Sequence, residues 1–228
     1  MKPDKTSRRH HEGFKQKLID KAGNTRKFAH LKTIAKSPFF VEVETAMNNT
    51  IMGRRGVVVD HDILMNAITE AYLKYKDKSA YLPLRVKTAS LNNALKKADA
   101  LRLALEKIGE DYLEITPIKR IENRIRTRKE IIKREHDFNL SRAIKKNEGL
   151  TAEQAVFCRW LCVYLRVKYP HKLFSRLIAA IARCLFDDEN IDDYRIKNNL
   201  TGNLYGIDQR AKKLFDEERD RSLFVSTI

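Results

Sequence analysis

Only three cysteines occur in this chain of 228 residues. An odd number without paired spacing excludes a disulfide-stapled scaffold and points to a reducing, cytoplasmic compartment. Glycine and proline are also sparse, at eight and five residues. That scarcity excludes a loop-dominated or low-complexity chain and fits a folded protein with few irregular stretches. No long apolar run is present. The most apolar region, from Ala155 to Leu185, is interrupted by Arg159, Arg166, Lys168, Pro170, Lys172, Arg176 and Arg183, whereas a membrane span needs about 20 residues nearly free of charge. The first residues, Met1-Lys2-Pro3-Asp4-Lys5, continue into polar sequence with no apolar core of secretory-signal length. No membrane association is expected.

Catalytic signatures are missing as well. The chain has no GxxxxGK[ST], GxGxxG, HExxH, CxxC or GxSxG, so nothing announces nucleotide cradling, a zinc protease or a nucleophile elbow. Cys158 and Cys162 lie four apart on an apolar segment with no His or carboxylate beside them to complete a metal site. They read as small buried hydrophobes. Asp187, Asp188, Glu189, Asp192 and Asp193 form an acidic turn that lacks the glycine and the closing Glu of a calcium loop. Asp60-His61-Asp62 reads as helix capping. No metal, cofactor or catalytic residue is expected.

What the chain does have is basic charge in two places. Residues 1–36 hold eleven Lys/Arg against three acids, and residues 117–146 hold eleven against four. Residues 37–116 balance at eleven of each sign, and residues 147–228 come close, with thirteen against twelve. The formal net charge is +16. Concentrated cations on a balanced body are suited to a polyanion, because Lys/Arg clusters release the counterions of phosphates.

The second basic segment carries the sharper pattern. Thr116-Pro117 reads as a helix start. On the helix that follows, Ile118, Ile121, Ile125 and Ile132 make an attachment stripe. Arg120, Arg124 and Arg128 recur every four residues and share a face, flanked by Lys119, Arg126, Lys129, Lys133 and Arg134. Arginine presents a planar fork of donors matched to phosphate oxygens. Arg8 and Arg9 in the basic N-terminal arm are further candidates. So are Arg54 and Arg55, where the flanking Gly53 and Gly56 allow the backbone to approach a phosphate.

Four regions are expected: a basic arm over 1–38 with a mobile first dozen residues and one or two short helices, a helical unit over 39–116, a basic connecting helix over 117–146, and a C-terminal helical unit over 147–228. In the second, Asp60 or Asp62 caps a helix to Lys76. Ser90 opens a strong 3–4 pattern through Leu91, Ala94, Leu95, Ala98, Leu101, Leu105 and Ile108, closed by Gly109. Tyr81–Val86 and Tyr112–Ile115 read as extended. A winged helix-turn-helix over 62–115 is an alternative, opposed by the apolar phase that runs unbroken through Lys97-Ala98-Asp99. In the last region Thr151 and Gln154 form a capping box for a helix to Tyr169, Pro170 breaks it, and Asp208 caps a final helix. Of the aromatics interleaved with charge (Phe138, Tyr164, Tyr169, Phe174, Tyr194 and Tyr205), all but Tyr194 and Tyr205 read as packing residues.

The fold expected is mainly α and multi-helical, with a small β-hairpin or wing near residues 82–115 as its one admitted departure. The function expected is non-catalytic nucleic-acid binding, DNA or RNA, within a larger nucleoprotein complex that includes protein partners. Three alternatives stay open: a sequence-specific DNA-binding regulator or plasmid/phage-type replication initiator, a helical protein-binding adaptor, and a nuclease using the acidic turn.

Overall fold

The computed structural model describes residues 5–23, 28–52, 57–77, 84–109, 112–140 and 150–225. It is mainly α, with ten helices and no strand among the described residues. In order these are α1 (Lys5–Ala22), α2 (Ala29–Lys36), α3 (Phe40–Met52), α4 (His61–Lys76), α5 (Leu84–Ile108), α6 (Tyr112–Leu140), α7 (Ala152–Lys168), α8 (Ser175–Phe186), α9 (Asp193–Gly202) and α10 (Leu204–Val225). They form two compact units. Residues 1–77 and 142–228 make the larger, and residues 78–141 make the smaller.

The larger unit is built around α7. Its apolar side chains point nearly all round the helix, so it can be stable only when other helices surround it. Val156, Phe157, Cys158, Leu161, Cys162, Val163 and Leu165 are all buried, and α4, α8, α9 and α10 pack against it. Its start is fixed by the expected capping box. The Gln154 N–H donates to Thr151 Oγ1 at 3.1 Å, and the Thr151 N–H donates to Gln154 Oε1 at 2.8 Å. Replacing Thr151 with Ala should cost about 1 kcal/mol and lower the thermal midpoint by about 2–4 °C, read from a circular-dichroism melt.

The start of α4 is held in a similar way. The Asp62 and Ile63 N–H groups donate to Asp60 Oδ1 at 2.8 and 2.9 Å. These bonds, that from Ile63 foremost, hold the Asp60 carboxyl below its ordinary range. The Asp60 N–H donates to the Tyr169 hydroxyl at 2.8 Å, tying the first turn of α4 to the end of α7. At the N-terminal side α1 begins at Lys5, ahead of the expected short helices. Phe14, Leu18 and Ala22 are buried, with Phe14 against the rings of Phe40 and His61.

His30 is buried between α2 and α4, stacked on Tyr72 with ring centroids 4.2 Å apart. The Thr69 hydroxyl donates its hydrogen to the Met65 carbonyl. The contact at 3.3 Å between His30 Nε2 and Thr69 Oγ1 is therefore donated by the imidazole. Burial lowers the His30 pKa to about 4 and keeps the ring neutral. Between that value and the unfolded value near 6.5, the unfolded chain binds the extra proton. Stability is therefore complete above about pH 6.5 and drains away as pH falls toward 4. At pH 5 the loss should be about 2 kcal/mol. It should appear as a lower urea midpoint at pH 5 than at pH 7, and His30→Phe should remove it while keeping the stack.

Two expected boundaries are corrected by packing. The last helix starts at Leu204, not at Asp208. Asp208 lies inside it, with its carboxylate 2.5 Å from Arg166 Nη2. Residues 84–86 and 112–115 are helical, so the β-hairpin or wing does not form there. Continuous apolar phase carries α5 through Lys97-Ala98-Asp99 with no turn, which removes the break that a helix-turn-helix requires. Gly109 ends α5 with φ +79°, the left-handed geometry glycine supplies at a helix C-terminus.

Candidate nucleic-acid interface

The smaller unit consists of α5 and α6 packed on each other. Along α5, Leu84, Thr88, Leu91, Leu95, Ala98, Arg102 and Leu105 alternate at steps of four and three, and each is buried or half-buried. Along α6 the same steps join Ile115, Ile118, Glu122, Ile125, Lys129, Ile132 and His136. Two seven-residue repeats facing each other make a helical hairpin with a coiled-coil seam. Tyr112–Ile115 is helical because Ile115 is the first seam residue of α6. Pro117 sits in the sixth helical position, not the first. It is exposed, and the carbonyl its missing N–H leaves unpaired falls in the opening turns.

A charged pair sits in that seam. Arg102 Nε donates to Glu122 Oε1 at 3.2 Å, and Glu122 is buried. Arg102 also reaches Glu106 at 2.8 Å and Asp99 at 3.9 Å. A charged pair inside an apolar seam fixes register, because a slipped alignment would bury either charge alone. It also engages three of the unit's acids with a single arginine.

The remaining cations are left facing outward. Arg120, Arg124 and Arg128 are exposed, and among the described residues none forms an ion pair. They project away from the seam at steps of about 6 Å along the helix axis, so each can address a different phosphate. Lys119 and Lys133 are exposed, as is Arg134. Arg126 approaches Asp99 at 3.9 Å. Two residues depart from expectation, one from the flanking set and one from the stripe. Lys129 falls on the seam side and is half-buried, and Ile121, expected in the attachment stripe, is half exposed at its edge.

The first helix of the hairpin adds cations that the charge count concealed. Residues 37–116 balance only because the acids of α3, α4 and the intervening segment belong to the larger unit. Taken alone, α5 has six Lys/Arg against Asp99 and Glu106, the two acids that Arg102 engages. Arg85, Lys96, Lys97 and Lys107 are exposed and, among the described residues, without an ion pair. Residues 78–141 carry fifteen Lys/Arg against nine Asp/Glu. Counting charge helix by helix would have found this.

Of the other candidates, Arg8 and Arg9 lie in the opening turns of α1, and Arg54 and Arg55 lie outside the described residues. Tyr194 and Tyr205 are strongly exposed, whereas Phe138 is buried. The acidic turn is used within the fold. Asp188 accepts from Gln154 Nε2 at 2.9 Å, Asp192 caps α9 through the Arg195 N–H at 2.7 Å, and Asp193 faces Arg176 at 3.3 Å. Among the described residues no group of three or more His, Cys, Asp or Glu is arranged to hold a metal ion. The three cysteines are buried and free. Burial pushes the Cys162 thiol up to about 12 and that of Cys184 to about 11, and moves Cys158 in the same direction. No protein-family model, curated protein or solved structure matches the chain. Among the described residues no helix is long and apolar enough to cross a membrane.

Proposed function

We propose that this chain is a non-catalytic nucleic-acid-binding protein, a cytoplasmic subunit of a larger nucleoprotein assembly, that holds the phosphate backbone with the outer face of α6. The observation that carries the reading is the trio Arg120, Arg124 and Arg128, exposed on one face and, among the described residues, without an ion pair. Arginines held on a packed helix lose less freedom on contact than arginines in a flexible tail, so more of each ionic contact is retained as affinity. The surplus charge on α5 widens the field around them. Contacts of this type follow phosphates and carry no base code, which is why recognition of sequence falls to other members of the assembly.

The test is an anisotropy titration of the full chain against a labelled duplex DNA and a labelled single-stranded RNA across a range of salt. Binding that weakens log-linearly with salt supports the reading. Absence of binding to both probes at about 50 mM salt overturns it.

A further inference from the structure

We infer that one flank of the α5–α6 hairpin is a docking surface for an acidic amphipathic helix of a partner protein. A pair of helices covers only one stripe of each, and here a second apolar stripe lies beside the seam. Leu101 and Ile108 of α5 are 53% and 73% exposed, and Ile121 of α6 is 50% exposed. Scattered apolar residues on a surface are ordinary, but adjoining ones mark contact sites.

The hairpin's own ion pairs place these residues on one flank. Asp99 and Arg126 meet across one edge of the seam. Leu101 and Ile121 lie at the opposite edge of their respective helices, so both face the other flank. The Arg102–Glu122 pair brings those two positions within a turn of each other. Ala94 and Ile108, seven residues to either side of Leu101, extend the stripe along α5 for about 21 Å. Half-buried Ile125 and Ile132 floor it on α6. That length suits about four turns of a third helix, which would complete a three-helix bundle.

The rim selects the occupant. Lys97 on α5, and Arg124 and Arg128 on α6, border the stripe; all three are exposed and, among the described residues, none forms an ion pair. A second copy of this hairpin would bring the same cations against them, and like charges across an interface oppose association. A helix with Glu or Asp flanking its apolar stripe meets both the floor and the rim. The inference rests on apolar exposure and on the positive charge of the rim, and stands whether or not the arginines bind nucleic acid.

The test uses the full chain and a labelled synthetic helix of about three heptads, with Leu at a and d and Glu at e and g. A second helix carries Lys in place of Glu. The Glu peptide should bind, and the Lys peptide should bind at least about tenfold more weakly at about 0.1 M salt. Leu101→Gln/Ile121→Gln should lose binding at least about tenfold with an unchanged melting curve. If that variant melts early, Ile108→Gln, at the most exposed position, takes its place. Failure of the Glu peptide to bind, equal binding of both peptides, or full binding by the variants would overturn the proposal. So would a sedimenting dimer that these substitutions dissociate, since the flank would then belong to a second copy.

Discussion

Replacing Arg120, Arg124 and Arg128 together with Gln is expected to lower affinity for a short duplex by on the order of 100-fold at 0.15 M salt. The size follows from counting contacts. Each neutralised phosphate contributes about 0.9 to the slope of log affinity against log salt. Three lost contacts should therefore flatten the slope by about 2.7, and extrapolated to about 0.15 M this amounts to roughly two decades. Because the three side chains are exposed and take no part in the seam, the variant should melt with the parent protein. The slope is the discriminating readout. A drop in affinity with an unchanged slope would mean that the arginines act through shape and not through phosphate charge. No drop at all would move the contact to other cations.

Truncating Arg159 to Ala is expected to destabilise the larger unit by about 3–5 kcal/mol, with a fall in thermal midpoint of about 10 °C. Arg159 is fully buried at the middle of α7, and its Nε donates to Asn199 Oδ1 at 3.1 Å. Asn199 is itself buried, with an Nδ2 that finds no hydrogen-bond partner among the described residues. Removing the arginine leaves both a void and a stranded amide oxygen, and an unsatisfied buried acceptor cannot recover its lost hydration. Arg159→Met fills most of the volume without the donor. The gap in urea midpoint between the Ala and Met variants therefore separates packing from polar satisfaction. A midpoint for Arg159→Ala within experimental error of the parent would show that this arginine does not support the core.

The parts of the fold that were legible in the sequence are those written locally. Thr151 with Gln154, Asp60 before α4, Gly109 after α5 and Pro170 after α7 each act within a turn of their own position, so residue type alone reveals them. The basic face of α6 was legible for the same reason, as a four-residue period. What escaped depends on partners distant in sequence. Arg159 interrupts an apolar run and looks like a solvated charge, because the Asn199 that receives its hydrogen bond is forty positions away. Glu122 counts as a local counter-charge to its neighbouring arginines, yet it turns inward to Arg102 on the other helix. The cations of α5 were masked by acids that belong to a different unit. Periodicity finds a helix face, but only pairing shows which face is covered.

Because the larger unit takes one part of its chain from before residue 78 and the other from after residue 141, its assembly has a built-in delay on the ribosome. Helix α4 is made about ninety residues before α7 is complete, an interval of about 5–20 s at ordinary elongation rates. The hairpin between them closes on near neighbours and can be finished within that interval. The early helices, with Leu64 and Ile68 destined for the interior, must wait without their counterpart. This nascent stage is where chaperone dependence and misassembly of the chain should concentrate.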